Sequence, residues 1–222
     1  MFIKERDRKI LEQKFLELGN PVKIILFTKS IDCEYCETTE QLLKELVSIS
    51  DKLSLYVFNS ILDKEQSRTY GVDSNGMVPA IFIETENFKP KLKFFGTPSG
   101  YEFSTLIEDI VDVSKNTSQF SNESVIEKIK SINEPVNIKV FVTPTCPYCP
   151  KMVRYAHMAS ILNENITSEM IEASEFPELS QKYSVFGVPK TVINETIEIE
   201  GAVPEEHFVE EILKALKKKP QN

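Results

Sequence analysis

The chain has 222 residues, 41 % of them hydrophobic, and a formal net charge of −8. That length can bury one large core or two of about 110 residues each. The acidic balance excludes a non-specific electrostatic grip on nucleic acid or an anionic membrane, and no run approaches the roughly 18 apolar residues of a membrane-spanning helix.

The opening Met1-Phe2-Ile3-Lys4-Glu5-Arg6-Asp7-Arg8 lacks the apolar core of a secretory signal, so a soluble, cytoplasmic protein is expected. Residues 4–18 read as an amphipathic helix with Ile10, Leu11, Phe15 and Leu18 on its apolar side, stopped by Asn20-Pro21. Val22–Phe27 reads as a buried strand, and helical spacing follows at Leu42, Leu43, Leu46 and Val47. Leu53–Phe58 is a second strand and Asp63–Tyr70 a short helix ending near Gly71. Pro79–Glu84 and Lys91–Phe95 form a hairpin, and Tyr101–Val113 a closing helix.

The order then repeats. Glu123–Ile132 is a helix stopped at Glu134-Pro135, Val136–Val142 a strand, and a long helix carries Met152, Tyr155, Ala159 and Leu162. Ile166–Glu172 is a strand, Phe176–Tyr183 a helix, Pro189–Asn194 with Thr196–Glu200 a hairpin, and Glu205–Lys218 the last helix. Lys217, Lys218 and Lys219, the only basic run, complement that helix's dipole. The polar stretch Ser114–Ser121 is the expected boundary, dividing the chain into units 1–117 and 118–222. It is too short for a long tether, so the halves should pack together.

All four cysteines fall in two Cys-x-x-Cys pairs, Cys33-Glu34-Tyr35-Cys36 and Cys146-Pro147-Tyr148-Cys149. The second pair lies 113 residues after the first. Pro79 follows Cys36 by 43 residues and Pro189 follows Cys149 by 40, each preceded by valine, Val78 and Val188. Each hairpin ends at a glycine, Gly96 or Gly201. In a reducing cytosol such pairs are more often redox-active or metal-binding than structural. Abundant Lys and Glu and the absence of Trp fit a thermophile, whose cytosol tolerates protein disulfides.

With a Cys-x-x-Cys pair opening a helix, its first cysteine at the helix N-terminus, after a central strand, and Val-Pro opening the next-to-last hairpin, each half resembles the thioredoxin fold. The whole chain resembles the tandem-thioredoxin protein disulfide oxidoreductases of thermophilic archaea and bacteria. The resemblance implies an α/β architecture of two thioredoxin-like units, each a mixed central sheet flanked by helices. It implies dithiol–disulfide exchange on protein substrates, as reductase, oxidase or isomerase. Pro79 and Pro189 would be cis and face the dithiols, with Val78 and Val188 offering backbone groups to an extended substrate; read alone, each is a strand-opening proline at a sheet edge.

The chemistry suits the residues. Exchange needs a thiolate, and a free cysteine holds little at neutral pH unless a helix N-terminus favours the anion. Cys33 and Cys146 are assigned as attacking thiols, Cys36 and Cys149 as resolving thiols. Asp32, Glu34 and Glu37 disfavour a thiolate at the first site, offset in part by Lys29. No charge lies between Val140 and Pro150, and Pro147 suits a first helical turn. Cys146 is therefore expected to have the lower pKa and its pair to be the stronger oxidant. Tyr35 and Tyr148 would shape the substrate rim. Thioredoxins carry a buried acid six residues before the first cysteine; Phe27 and Val140 stand there instead.

Cys-Pro-Tyr-Cys is also the usual glutaredoxin motif, which opens glutathione use and a second reading as a glutaredoxin-like or peroxiredoxin-reducing electron carrier. A zinc site is a rival, yet 109 residues separate Cys36 from Cys146, against roughly 15–20 in zinc ribbons. A non-catalytic docking module is a further rival, opposed by two intact pairs. His157 is expected at the surface or in packing, His207 joins no constellation, and Glu84 and Glu86 read as solvent-facing. No phosphate loop or haem-attachment motif occurs, so no cofactor beyond the disulfides is expected, and electrons should come from a thioredoxin-reductase-like flavoprotein.

Overall fold

A computed structural model describes residues 2–72 and 76–218. Its elements run α1 (Glu5–Phe15), β1 (Val22–Thr28), α2 (Cys36–Val47), β2 (Leu53–Asn59), α3 (Lys64–Tyr70), β3 (Ala80–Glu84), β4 (Leu92–Phe95) and α4 (Glu102–Lys115). The same order follows in α5 (Glu123–Lys130), β5 (Val136–Val142), α6 (Cys149–Leu162), β6 (Ile166–Glu172), α7 (Pro177–Lys182), β7 (Lys190–Ile193), β8 (Ile197–Glu200) and α8 (Glu205–Lys217). The expected basic run closes α8 with Lys217 and its C-cap Lys218; Lys219 lies outside the described residues. No helix among them is long and apolar enough to cross a membrane.

The two halves share one eight-stranded sheet, in the order β2-β1-β3-β4-β6-β5-β7-β8. Each half contributes two parallel strands and an antiparallel hairpin. The halves meet through β4 and β6, which pair in parallel from Leu92↔Ser168 to Phe95↔Ile171. They therefore pack by strand addition, edge to edge, and the seam is crossed by an ion pair, Lys93 to Glu169 at 3.7 Å. The segment between α4 and α5 is tied down: Gln119 donates to Asp112, and the Ser121 hydroxyl donates to Glu205.

Period-two alternation sends side chains to two cores. Ile24 and Leu26 join the larger core, which receives Leu43, Leu106, Met152 and Phe208 from α2, α4, α6 and α8. Ile25 and Phe27 join the smaller core with Tyr70 from α3 and Leu179 from α7. Because both faces are covered, central strands such as β3 are buried along their whole length. That corrects the reading of Glu84, which is 6 % exposed and paired with Lys89, while Glu86 does face solvent. Burial and the Glu84 carboxylate push the Tyr70 hydroxyl up to about 12.

Candidate active site

Both dithiols are closed as disulfides, Cys33–Cys36 and Cys146–Cys149, with Cα atoms 5.5 Å apart in each. They follow the carboxyl ends of β1 and β5, which point the same way, so they share one edge of the sheet. Four strand spacings separate β1 from β5, about 19 Å. The pairs are thus two sites rather than one four-thiolate centre.

The helices begin one turn later than the attacking cysteines. α2 and α6 start at Cys36 and Cys149, with Tyr35 and Tyr148 as N-caps that make no side-chain capping bond. Cys33 and Cys146 lie in the turns just before, facing the uncapped N–H end. The proline in the first turn of α6 is Pro150, not Pro147, which precedes the N-cap. Cys36 and Cys149 are 5 % and 0 % exposed, and Cys146 keeps 7 %; Cys33 is half-buried. The Lys29 N–H points at Cys36 Sγ, 3.4 Å away. Tyr35 and Tyr148 are exposed beside their disulfides, as a rim role requires.

Val78–Pro79 and Val188–Pro189 are both cis. Val78 and Cys33 line one groove, and Val188 packs at the border of both cores. In the loop leading to Val188, Phe186 stands 96 % exposed; nothing in its local sequence marks it as more than a loop residue.

Phe27 and Val140 are both fully buried, and near each site a carboxyl group comes from the other half of the chain. Tyr101 donates its N–H to Pro144 O at 3.1 Å, and farther along Arg154 bridges to Asp109 and Asp112. α4 and α6 thus run side by side in one direction, with Glu102, on the stripe of Asp109 and Asp112, level with the first turn of α6. Glu102 is 2 % exposed; one oxygen accepts the Thr105 hydroxyl at 2.7 Å and the other has no partner. Burial lifts its carboxyl to about 7, the Thr105 bond opposing and Asp109 assisting.

The reciprocal acid is Glu175, which lines the groove at Cys33. It accepts the Thr97 N–H at 2.9 Å and donates its own N–H to Glu172 at 2.6 Å. Burial raises the Glu175 carboxyl above the usual range, against the Thr97 bond. Gly96 makes this approach possible: at φ 94°, any Cβ would sit 2.7 Å from Glu172 Cβ. These acids lie 44 and 142 residues from the first cysteine of the pair each faces, so only strand pairing across the seam could reveal them. The equivalent carboxylate opening α8, Glu205, is spent on Ser121 and Asn122.

His157 belongs to packing, not to the surface. It is fully buried, bonded through Nδ1 to Asp109 at 2.5 Å and edge-on to Phe94. His207 is exposed and meets only Glu211.

The thioredoxin domain family matches residues 136–214. A protein disulfide oxidoreductase from Aeropyrum pernix superposes with a TM-score of 0.87 at 30 % identity, covering 98 % of this chain and 95 % of that one. The chain belongs to the tandem thioredoxin-fold protein disulfide oxidoreductases. This oxidoreductase is also similar to AhpF, a component of alkyl hydroperoxide reductase. The structure of the Enterococcus faecalis AhpF aligns with a TM-score of 0.86 at 25 % identity, covering 95 % of this chain and 99 % of that one. The Staphylococcus epidermidis counterpart is 29 % identical over 152 residues, 68 % of this chain. The chain spans about a quarter of the length of that curated relative, 27 %.

Proposed function

We propose that both pairs carry out dithiol–disulfide exchange on client proteins. The observation that carries this is the pairing of a closed disulfide with an uncapped helix start at two equivalent points on one sheet edge. Cys33 and Cys146 make and break the bond to the client; Cys36 and Cys149, deeper in the fold, resolve it. Val78 and Val188 hold the client segment, with Tyr35 and Tyr148 at the rim. Glu102 and Glu175 take up or return the proton of the nearby thiol. The units are 1–117 and 118–222, the setting is the cytoplasm of a thermophile on the composition argument, and electrons travel on the disulfides alone, supplied by a thioredoxin-reductase-like flavoprotein.

The test is reduction of insulin by the whole chain with dithiothreitol as donor. Activity should vanish when all four cysteines become serine; full retention would refute the reading. A second reading, delivery of electrons to a peroxiredoxin, is favoured by the likeness to AhpF of alkyl hydroperoxide reductase. It predicts that reduced chain restores a peroxiredoxin's dithiol in a peroxide-coupled assay.

A further inference from the structure

The first disulfide opens on a groove lined by both halves. One stretch, about 420 Å³, runs between Cys33, Glu34, Tyr35 and Val78 on one wall and Ser174, Glu175 and Pro177 on the other. A second, about 590 Å³, shares Glu175 and Pro177 and continues past Met77 to Glu178 and Leu179. Met77, Phe176 and Leu179 pack against the core that holds Cys36, which gives the groove an apolar floor.

Its rim is acidic. Asp32, Glu34 and Glu175 line the first stretch and Glu178 the second, against one lining cation among the described residues, Lys182; Lys29 Nζ is held by Gly76 O at 2.8 Å. One Glu175 oxygen is buried without a partner, and behind it Glu172, 3 % exposed, has another. Buried acceptors of this kind are normally satisfied, and a guanidinium or ammonium group supplies the strongest donors. The second disulfide differs: no charge occurs from Val140 to Pro150, the carboxyl level with it, Glu102, is closed off from solvent at 2 % exposure, and its flank carries the exposed rings of Tyr148 and Phe186.

We propose that this groove selects cysteine-bearing client segments flanked by lysine or arginine, so that the first dithiol serves basic clients and the second does not discriminate by charge. The proposal rests on the exchange reading above. With a dithiol client, a client thiolate attacks Cys33 Sγ, the Cys33–Cys36 bond breaks and Cys36 leaves as thiolate. The second client thiolate then attacks the client sulfur of the mixed disulfide and Cys33 leaves. The client loses two electrons and two protons, and the pair gains both.

The experiment uses the whole chain with Cys146→Ser and Cys149→Ser, its first pair oxidised, in single turnover. Two dithiol peptides are compared, identical except for Lys or Glu on either side of the first cysteine. At low salt the Lys peptide should react about tenfold faster, the size expected of two or three exposed charge contacts. The ratio should fall several-fold in 0.5 M salt and in the Glu34→Gln, Glu178→Gln variant. Because it is a ratio, a general loss of reactivity leaves it unmoved. In the chain with Cys33→Ser and Cys36→Ser the ratio should be near one. Equal rates at the first pair, or a ratio indifferent to salt, would overturn the proposal while leaving exchange intact. No reaction with either peptide, while dithiothreitol still reduces the pair, would overturn exchange at this site and the proposal together.

Discussion

Glu102→Gln separates the cost of a buried acid from its use. Burial lifts the Glu102 carboxyl from its ordinary 4.5 to about 7, so ionising it in the fold costs about 3 kcal/mol more than in the unfolded chain. Between those two pH values the native state keeps a proton that the unfolded state has released. Stability must therefore fall as pH rises through this window, by about 3 kcal/mol in all, and stay lowered above it. Glutamine keeps an oxygen for the Thr105 hydroxyl and has nothing to ionise. The variant should match the parent near pH 4 and exceed it by about 3 kcal/mol at pH 8, roughly 6–12 °C in Tm for a chain of this length. Urea or thermal unfolding at the two pH values measures this. The acid should also assist exchange at Cys146–Cys149. In the Cys33→Ser, Cys36→Ser background, the single-turnover rate should lose its rise near pH 7 when Glu102 becomes Gln. A stability difference that does not change with pH, together with an unaltered pH–rate profile, would refute both the burial argument and the placement of Glu102 beside the second pair.

Three further outcomes are expected. Gly100→Ala should destabilise the fold by on the order of 2 kcal/mol or more and slow the second pair but not the first: at φ 60° its Cβ would lie 2.1 Å from Pro144 O, in the turn before Cys146, and site-resolved alkylation with thermal unfolding measures both effects. Arg154→Met strands Asp109 and Asp112 without their cation, a loss of about 3–5 kcal/mol. That loss should be larger at pH 8 than at pH 5, because burial already pushes the Asp112 carboxyl up and Arg154 is what pulls it back; equal losses at the two pH values would sink this account. The Cys146 thiol should titrate below the Cys33 thiol, since α2 has Glu37 in its first turn and α6 has no acid there; iodoacetamide alkylation against pH in the two single-site chains checks the order, and a lower midpoint for Cys33 would reverse it.

Local signals carried most of the fold. Val136–Val142 and Ile166–Glu172 are strands with the expected bounds, because each is a short stretch set between turn-forming residues, Glu134-Pro135 and Thr143-Pro144 for the first and Asn163-Glu164-Asn165 before the second. The dithiol spacing and the two Val-Pro steps were legible for the same reason: each is a short-range constraint written in adjacent residues. Helix starts were less so. The resolving cysteines, not the attacking ones, open α2 and α6, and neither start carries the side-chain cap by which a sequence signals a helix N-terminus.

The amino-acid sequence by itself determined the duplication, the two redox pairs and the acidic surround of Cys33. Only the tertiary structure decided how the halves meet, and the acids follow from that. The pairing of β4 with β6 brings Glu175 to the first disulfide and sets α4 beside α6, so that Glu102 reaches the level of the second. Charge and burial at these positions are properties of contacts between residues distant in sequence. No local pattern encodes them, because a glutamate that opens a helix reads the same whether solvent or a neighbouring helix covers it.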